Sequence, residues 1–178
     1  MKLQIIIATL ALLGLAPAHA AEVQAGVRID DNQIQTLLES KNGLTATTAL
    51  PVKLTDSQAL LCAAPLNTDI HGNAWASFLV STKAFKAWQA QAKEYPKGTA
   101  LVKVKYADAK GAATLLHTLM IKREQGYNSE GGDWEYIVAG AHGRVLARGK
   151  LTSCMECHSR YKSTDCVAPI KSPTSTTK

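Results

Sequence analysis

Apolar and polar positions along this chain switch between a helical and an extended period. From Asp30 to Ser40, Ile34, Leu37 and Leu38 recur at helical spacing, with Gly43 placed to stop the helix. Thr55 and Gln58 have the spacing of a capping box ahead of Leu60, Leu61 and Cys62, and Pro65 ends that short helix. Trp75 to Val80 reads as a strand. Ser81 or Thr82 then caps a helix carrying Ala84, Phe85, Trp88 and Ala92, closed by Tyr95-Pro96-Lys97-Gly98. Ala100 to Tyr106 alternates strictly, with Val102, Val104 and Tyr106 facing one way and Leu101, Lys103 and Lys105 the other. Extended runs follow at Thr114 to Arg123 and Trp134 to Ala139, joined by the glycine-rich segment Gly126 to Asp133. Val145 to Arg148 forms a short last strand after the turn at His142-Gly143, and a helix begins at Thr152. The order predicts an α+β fold, a mainly antiparallel β-sheet with packed helices, one of them near the C-terminus.

The ends do not belong to this pattern. Lys2, an apolar stretch from Leu3 to Leu15 and the A-x-A sequence Ala18-His19-Ala20 read as a signal peptide over residues 1–20. The stretch is short for a membrane span and no second one follows, so no stable span is expected after cleavage, and the mature protein is expected in the periplasm. Residues 21–170 then form a single domain, and 171–178, rich in Ser, Thr and Lys, a flexible tail. The chain's 178 residues are too few for two sizeable cores beyond the leader. A net charge of +6 comes from scattered Lys and Arg, with no basic block interleaved with aromatics, which argues against nucleic-acid binding.

The chemistry concentrates in Cys154-Met155-Glu156-Cys157-His158, a C-x-x-C-H sequence. Two thiols three residues apart on a helical turn can reach the two vinyl groups of one haem, and the next residue projects its imidazole at the iron. A redox dithiol, half a zinc site and a structural disulfide use the same two cysteines. The adjoining histidine, the export signal and the absence of a second C-x-x-C favour one covalent haem c ligated by His158. Cys62 and Cys166, the remaining cysteines, are expected to form a structural disulfide. A sixth ligand could come only from Met120, His71, His117 or His142, since Met155 lies within the attachment turn. None has a supporting motif, so a sixth site open to small ligands is the expectation.

Three blocks carry a family resemblance. They are Tyr95-Pro-Lys-Gly-Thr-Ala-Leu-Val-Lys103, the run from Met120 to Tyr136, and Cys154 to Asp165. In these the chain, from about His71 to Val167, resembles the cytochrome P-460 family together with its gas-binding relatives, the cytochromes c′-beta. The resemblance implies a mostly antiparallel β fold, a homodimer, and a five-coordinate haem c with an open distal face. It also implies a lysine cross-linked to the porphyrin and oxidation of hydroxylamine, with nitric oxide as partner or product and a redox partner protein taking the electrons. Lys103 matches the cross-linking position, with Lys105 second. Two lysines on one strand face are otherwise the pattern of a solvated surface. Glu130, or alternatively Glu124, matches the distal carboxylate that would take protons. Phe78 is the candidate aromatic over the distal face, Phe85 having helical spacing with Trp88. Some members also place an arginine over the haem near the first strand, and this chain has none between Arg28 and Arg123. The competing functions are a nitric oxide- or carbon monoxide-binding cytochrome c′-beta without turnover and an electron-transfer cytochrome.

Overall fold

A computed structural model describes residues 29–54 and 75–169. The expected leader, the tail from 171, the helix placed after Thr55, His71 and Cys62 lie outside the described residues. The proposed Cys62–Cys166 disulfide therefore lies outside them too.

The architecture is the expected one, an antiparallel sheet with helices on it. Helix α1 spans Asp31–Ser40. Asp30 accepts from the backbone N–H of Gln33, whose side chain in turn accepts from the Asp30 N–H, both at 2.8 Å. This reciprocal cap satisfies two donors that the helix start leaves without partners. Ile34 and Leu38, one turn apart, are its buried residues. The helix ends at Lys41, in left-handed backbone at φ 54°, two residues before the glycine expected to stop it; Gly43, at φ 74°, turns the chain into the sheet instead.

Among the described residues seven strands follow: β1 (Leu44–Ala46), β2 (Val52–Lys53), β3 (Trp75–Ser81), β4 (Ala100–Tyr106), β5 (Thr114–Lys122), β6 (Trp134–Gly140) and β7 (Val145–Gly149). From β3 to β7 they form an antiparallel meander in chain order, and β1 and β2 both pair with the outer side of β3. Strands β1 and β2, of three and two residues, are too short to show an alternation in sequence.

Between β3 and β4 a 3-10 turn (Thr82–Ala84) leads into helix α2 (Phe85–Gln89). Neither candidate cap acts as one. The Ser81 hydroxyl crosses to β4, donating to the Ala100 carbonyl at 3.1 Å and accepting from the Ala100 N–H, and Thr82 Oγ1 lies 2.9 Å from Thr45 Oγ1. Without a side-chain cap the helix is short and stops before Ala92.

Each face of the sheet has its own packing. Val102, Val104, Leu119, Ile121, Ile137 and Ala139 pack with Ile34 and Leu38 of α1. The residues between them in β4 to β6 point to the other face, where Met120, Trp134 and Tyr136 form a cluster with Tyr95, Cys166 and Val167. Helix α3 (Thr152–His158), continued by a 3-10 segment (Ser159–Thr164), lies against this second face, with Cys154 and Met155 packed on the cluster. Among the described residues, no helix is long and apolar enough to cross a membrane.

Candidate haem site

The site is assembled on the face opposite α1. Helix α3 starts without a side-chain cap, its first turn closed by Cys154 and Met155 N–H groups donating to the Leu151 carbonyl at 3.0 Å. Cys154 and Cys157 are both half-buried on this helix, and their three-residue spacing puts them on one side of it. His158 closes the helix, and its ring lies 5.5 Å from the Tyr136 ring, centroid to centroid, at 52°.

His158 Nδ1 is 2.8 Å from the Cys166 carbonyl. A carbonyl can only accept, so the proton is on Nδ1 and Nε2 is the nitrogen that could ligate a metal. Burial pushes the imidazole below its ordinary pKa of 6.5, the Cys166 carbonyl works against that, and the Lys103 charge adds to it. The ring is therefore neutral near pH 7, the form a metal requires. Tyr136, 2% exposed, has a buried hydroxyl with no hydrogen-bond partner among the described residues. Its pKa is raised, by burial first and then by the neighbouring Cys166 and Cys154 sulfurs. A buried phenol lacking a partner, two half-buried thiols on one helical turn and a neutral imidazole with a committed Nδ1 together fit a haem held at this position.

The strand register decides which other candidates belong here. Lys103 stands directly opposite Phe78 of β3 and Thr118 of β5, so these three share a face, and it is the face of Met120 and Tyr136. Lys103 is half-buried and near enough to His158 to shift its titration. Lys105, on the same face opposite Ala76 and Leu116, is buried to 2%. Phe78 packs against Leu54 and Ala76. Phe85 instead stacks on Trp88 at 5.8 Å.

The candidate carboxylates are not on the strand face itself. Glu124 and Glu130 follow β5 in the connection to β6, both exposed, with Glu130 in a short 3-10 turn (Ser129–Gly131). Thr118 precedes the end of β5 by four residues, so this connection begins roughly 13 Å along the strand from Lys103. Glu124 faces Lys97 at 3.8 Å and Arg123 at 3.7 Å, and its own backbone N–H, ahead of those charges, holds its carboxyl below the usual range. Of the candidate sixth ligands, His117 is on the α1 face, its Nδ1 3.0 Å from the Gly140 carbonyl, and His142 is in the exposed turn before β7. Met120 packs in the cluster that holds Cys154 and Met155.

Asp165, Lys122 and Tyr136 stand inside the blocks that carry the family resemblance, but no sequence pattern assigns them a place at the site, and Lys122 and Asp165, which form a buried ion pair, are 43 positions apart. The alternation of β6 groups Tyr136 with Trp134 without showing what that face receives.

The sequence model of the cytochrome P460 family matches residues 57–168, more than half of the chain. No curated protein matches it.

Proposed function

The chain belongs to the cytochrome P460 family, a family of haem cytochromes, and on that premise we propose that it is an exported mono-haem c protein that oxidises hydroxylamine at a five-coordinate iron. When bound, the haem supplies the redox-active iron and an electron sink for the substrate nitrogen. The chain's own residues do the rest. Cys154 and Cys157 take up the two thioethers, and His158 presents Nε2 while the Cys166 carbonyl holds its Nδ1 proton. Lys103 is the cross-linking lysine, with Lys105 the alternative. Phe78, its cross-strand neighbour, is the aromatic wall. Glu130 or Glu124 receives protons as hydroxylamine is oxidised, with nitric oxide as partner or product. The observation that carries this reading is the placement of half-buried Lys103 on the sheet face of Tyr136, whose ring lies 5.5 Å from that of His158.

A gas-binding cytochrome c′-beta without turnover is the second reading. It is favoured by the exposed Glu124, engaged with Lys97 and Arg123 rather than poised as a base. The electron carrier has less support among the described residues, where His117 lies on the α1 face and Met120 packs with Cys154 and Met155; His71, the other candidate ligand, lies outside them. Periplasmic location, a homodimer and a redox partner protein belong to the same proposal.

The test is expression in a host that matures c-type cytochromes, then denaturing electrophoresis, acid-acetone extraction and a spectrum of the dithionite-reduced protein. Retained haem with a strongly red-shifted ferrous band, lost in Lys103→Arg and kept in Lys105→Arg, is the expected result. Extractable haem overturns covalent attachment. An ordinary c-haem spectrum with both lysines unmodified by peptide mass spectrometry overturns the enzyme and leaves the gas-binding protein.

A further inference from the structure

The strongest unexplained feature near the site is the backbone that supplies the partner of His158. Asp165 and Cys166 are consecutive non-glycine residues in left-handed backbone, φ 55° and 61°. L side chains adopt this conformation reluctantly, and it persists only where the surroundings over-determine it. Here three separate elements hold it. Lys122 Nζ, reaching from the end of β5, donates to Asp165 Oδ1 at 2.7 Å and Oδ2 at 2.6 Å, and to the Gly132 carbonyl at 2.8 Å. The Tyr95 N–H donates to Asp165 Oδ2 at 2.8 Å, and Trp134 Nε1 donates to the Asp165 carbonyl at 2.7 Å. The next carbonyl along the chain, that of Cys166, accepts the His158 proton.

A buried ion pair is a poor device for stability alone, because desolvation of both ions offsets their attraction. It is a good device for fixing a position. A metal-bound imidazole becomes a stronger donor as its distant N–H bonds more firmly to a fixed acceptor. Resting on the haem reading above, we infer that the Lys122–Asp165 pair is a positioning clamp that holds the Cys166 carbonyl on His158 and so sets how strongly this ligand donates to iron. The bonds of both are to protein groups, and both act through the Asp165-Cys166 turn.

The test uses the full haem protein and the resonance Raman Fe–His stretching band of its ferrous form, read with the midpoint potential and the melting temperature. Lys122→Met is expected to lower the stretching frequency and raise the potential, because a loosened carbonyl leaves a weaker donor. Lys122→Arg, which keeps the charge, is expected to restore the wild-type band. Asp165→Asn, near-isosteric and uncharged, is the second variant and is expected to shift the band the same way should Lys122→Met not accumulate. An unchanged band in the variants, with haem retained and only the melting temperature lowered, overturns the clamp and leaves the pair as a stabilising contact. Wild-type protein that takes up no haem overturns both the clamp and the reading on which it rests. The two failures are therefore distinguished on the same samples.

Discussion

Changing Glu135 to Gln tests whether the two faces of the sheet are as independent as their packing suggests. Glu135 is 2% exposed, between Arg148, whose Nε donates to Oε1 at 2.9 Å, and Arg123, whose NH1 is 3.4 Å from Oε2. The two guanidinium side chains are themselves only 13% and 9% exposed. Glutamine preserves the volume and one acceptor oxygen, so packing is kept and charge compensation is lost. Removing one partner of a buried ion pair outright costs about 3–5 kcal/mol. Arg148 keeps Asp31 at 2.6 Å and the Ile29 carbonyl at 3.0 Å, which retains part of its compensation. The expected loss is therefore about 2–3 kcal/mol, the scale of one charge-assisted hydrogen bond plus a poorly matched amide. At roughly 3 °C per kcal/mol for a domain of this size, the melting temperature should fall by about 6–9 °C. Circular dichroism melts of the haem protein measure this, and the ferrous spectrum is read beside them. Glu135 shares the α1 face with Ile121 and Ile137, so haem retention and spectrum should not change. A melting temperature within about 2 °C of wild type would refute the energetic argument. A shifted haem spectrum would refute the separation of the faces.

Two further predictions use other parts of the fold. Burial holds the His117 pKa below 6.5, so from about pH 6.5 downward the unfolded chain takes up this proton before the folded one does. Stability supplied by the neutral ring is present above that pH and lost as pH falls through the folded pKa. His117→Asn, which keeps a donor for the Gly140 carbonyl, should flatten the decline seen in melts at decreasing pH, and parallel curves would contradict this. A Cβ at Gly132, where φ is 68°, would lie 2.9 Å from Asp165 Oδ1 and 3.3 Å from Cys166 Sγ. Gly132→Ala should cost about 2 kcal/mol or more from backbone strain and overpacking, seen as a lowered denaturation midpoint, and an unchanged midpoint would show that the Asp165 turn yields freely.

Much of this protein is legible residue by residue. Alternation in β4 puts Val102, Val104 and Tyr106 on one face and Leu101, Lys103 and Lys105 on the other, because successive side chains on a strand must point oppositely. Capping of α1 by Asp30 and Gln33 involves groups three residues apart, and C-x-x-C-H needs only a single helical turn. These are local constraints, and local sequence determines them. The same locality makes short elements silent: β1 and β2 have too few residues for a period, and Ser81 looks like a cap until β4 offers its hydroxyl a second use.

What only the tertiary structure decides is which groups meet. Alternation separates the faces of β4 without saying which one receives α3; the packing of Met120, Trp134 and Tyr136 against Cys154 and Met155 settles that, and with it the relation of Lys103 to His158. The acceptor for the His158 ring is a backbone carbonyl, which every residue possesses and no sequence pattern marks. The Lys122–Asp165 pair joins positions 43 residues apart, and a lysine or an aspartate reads alike in sequence whether it is solvated or buried. Composition and spacing thus determine that a helix carrying C-x-x-C-H exists and that strands with two unlike faces accompany it. Burial and long-range hydrogen bonding determine how the histidine is held, because both depend on surfaces that exist only once the sheet and the C-terminal segment have packed together.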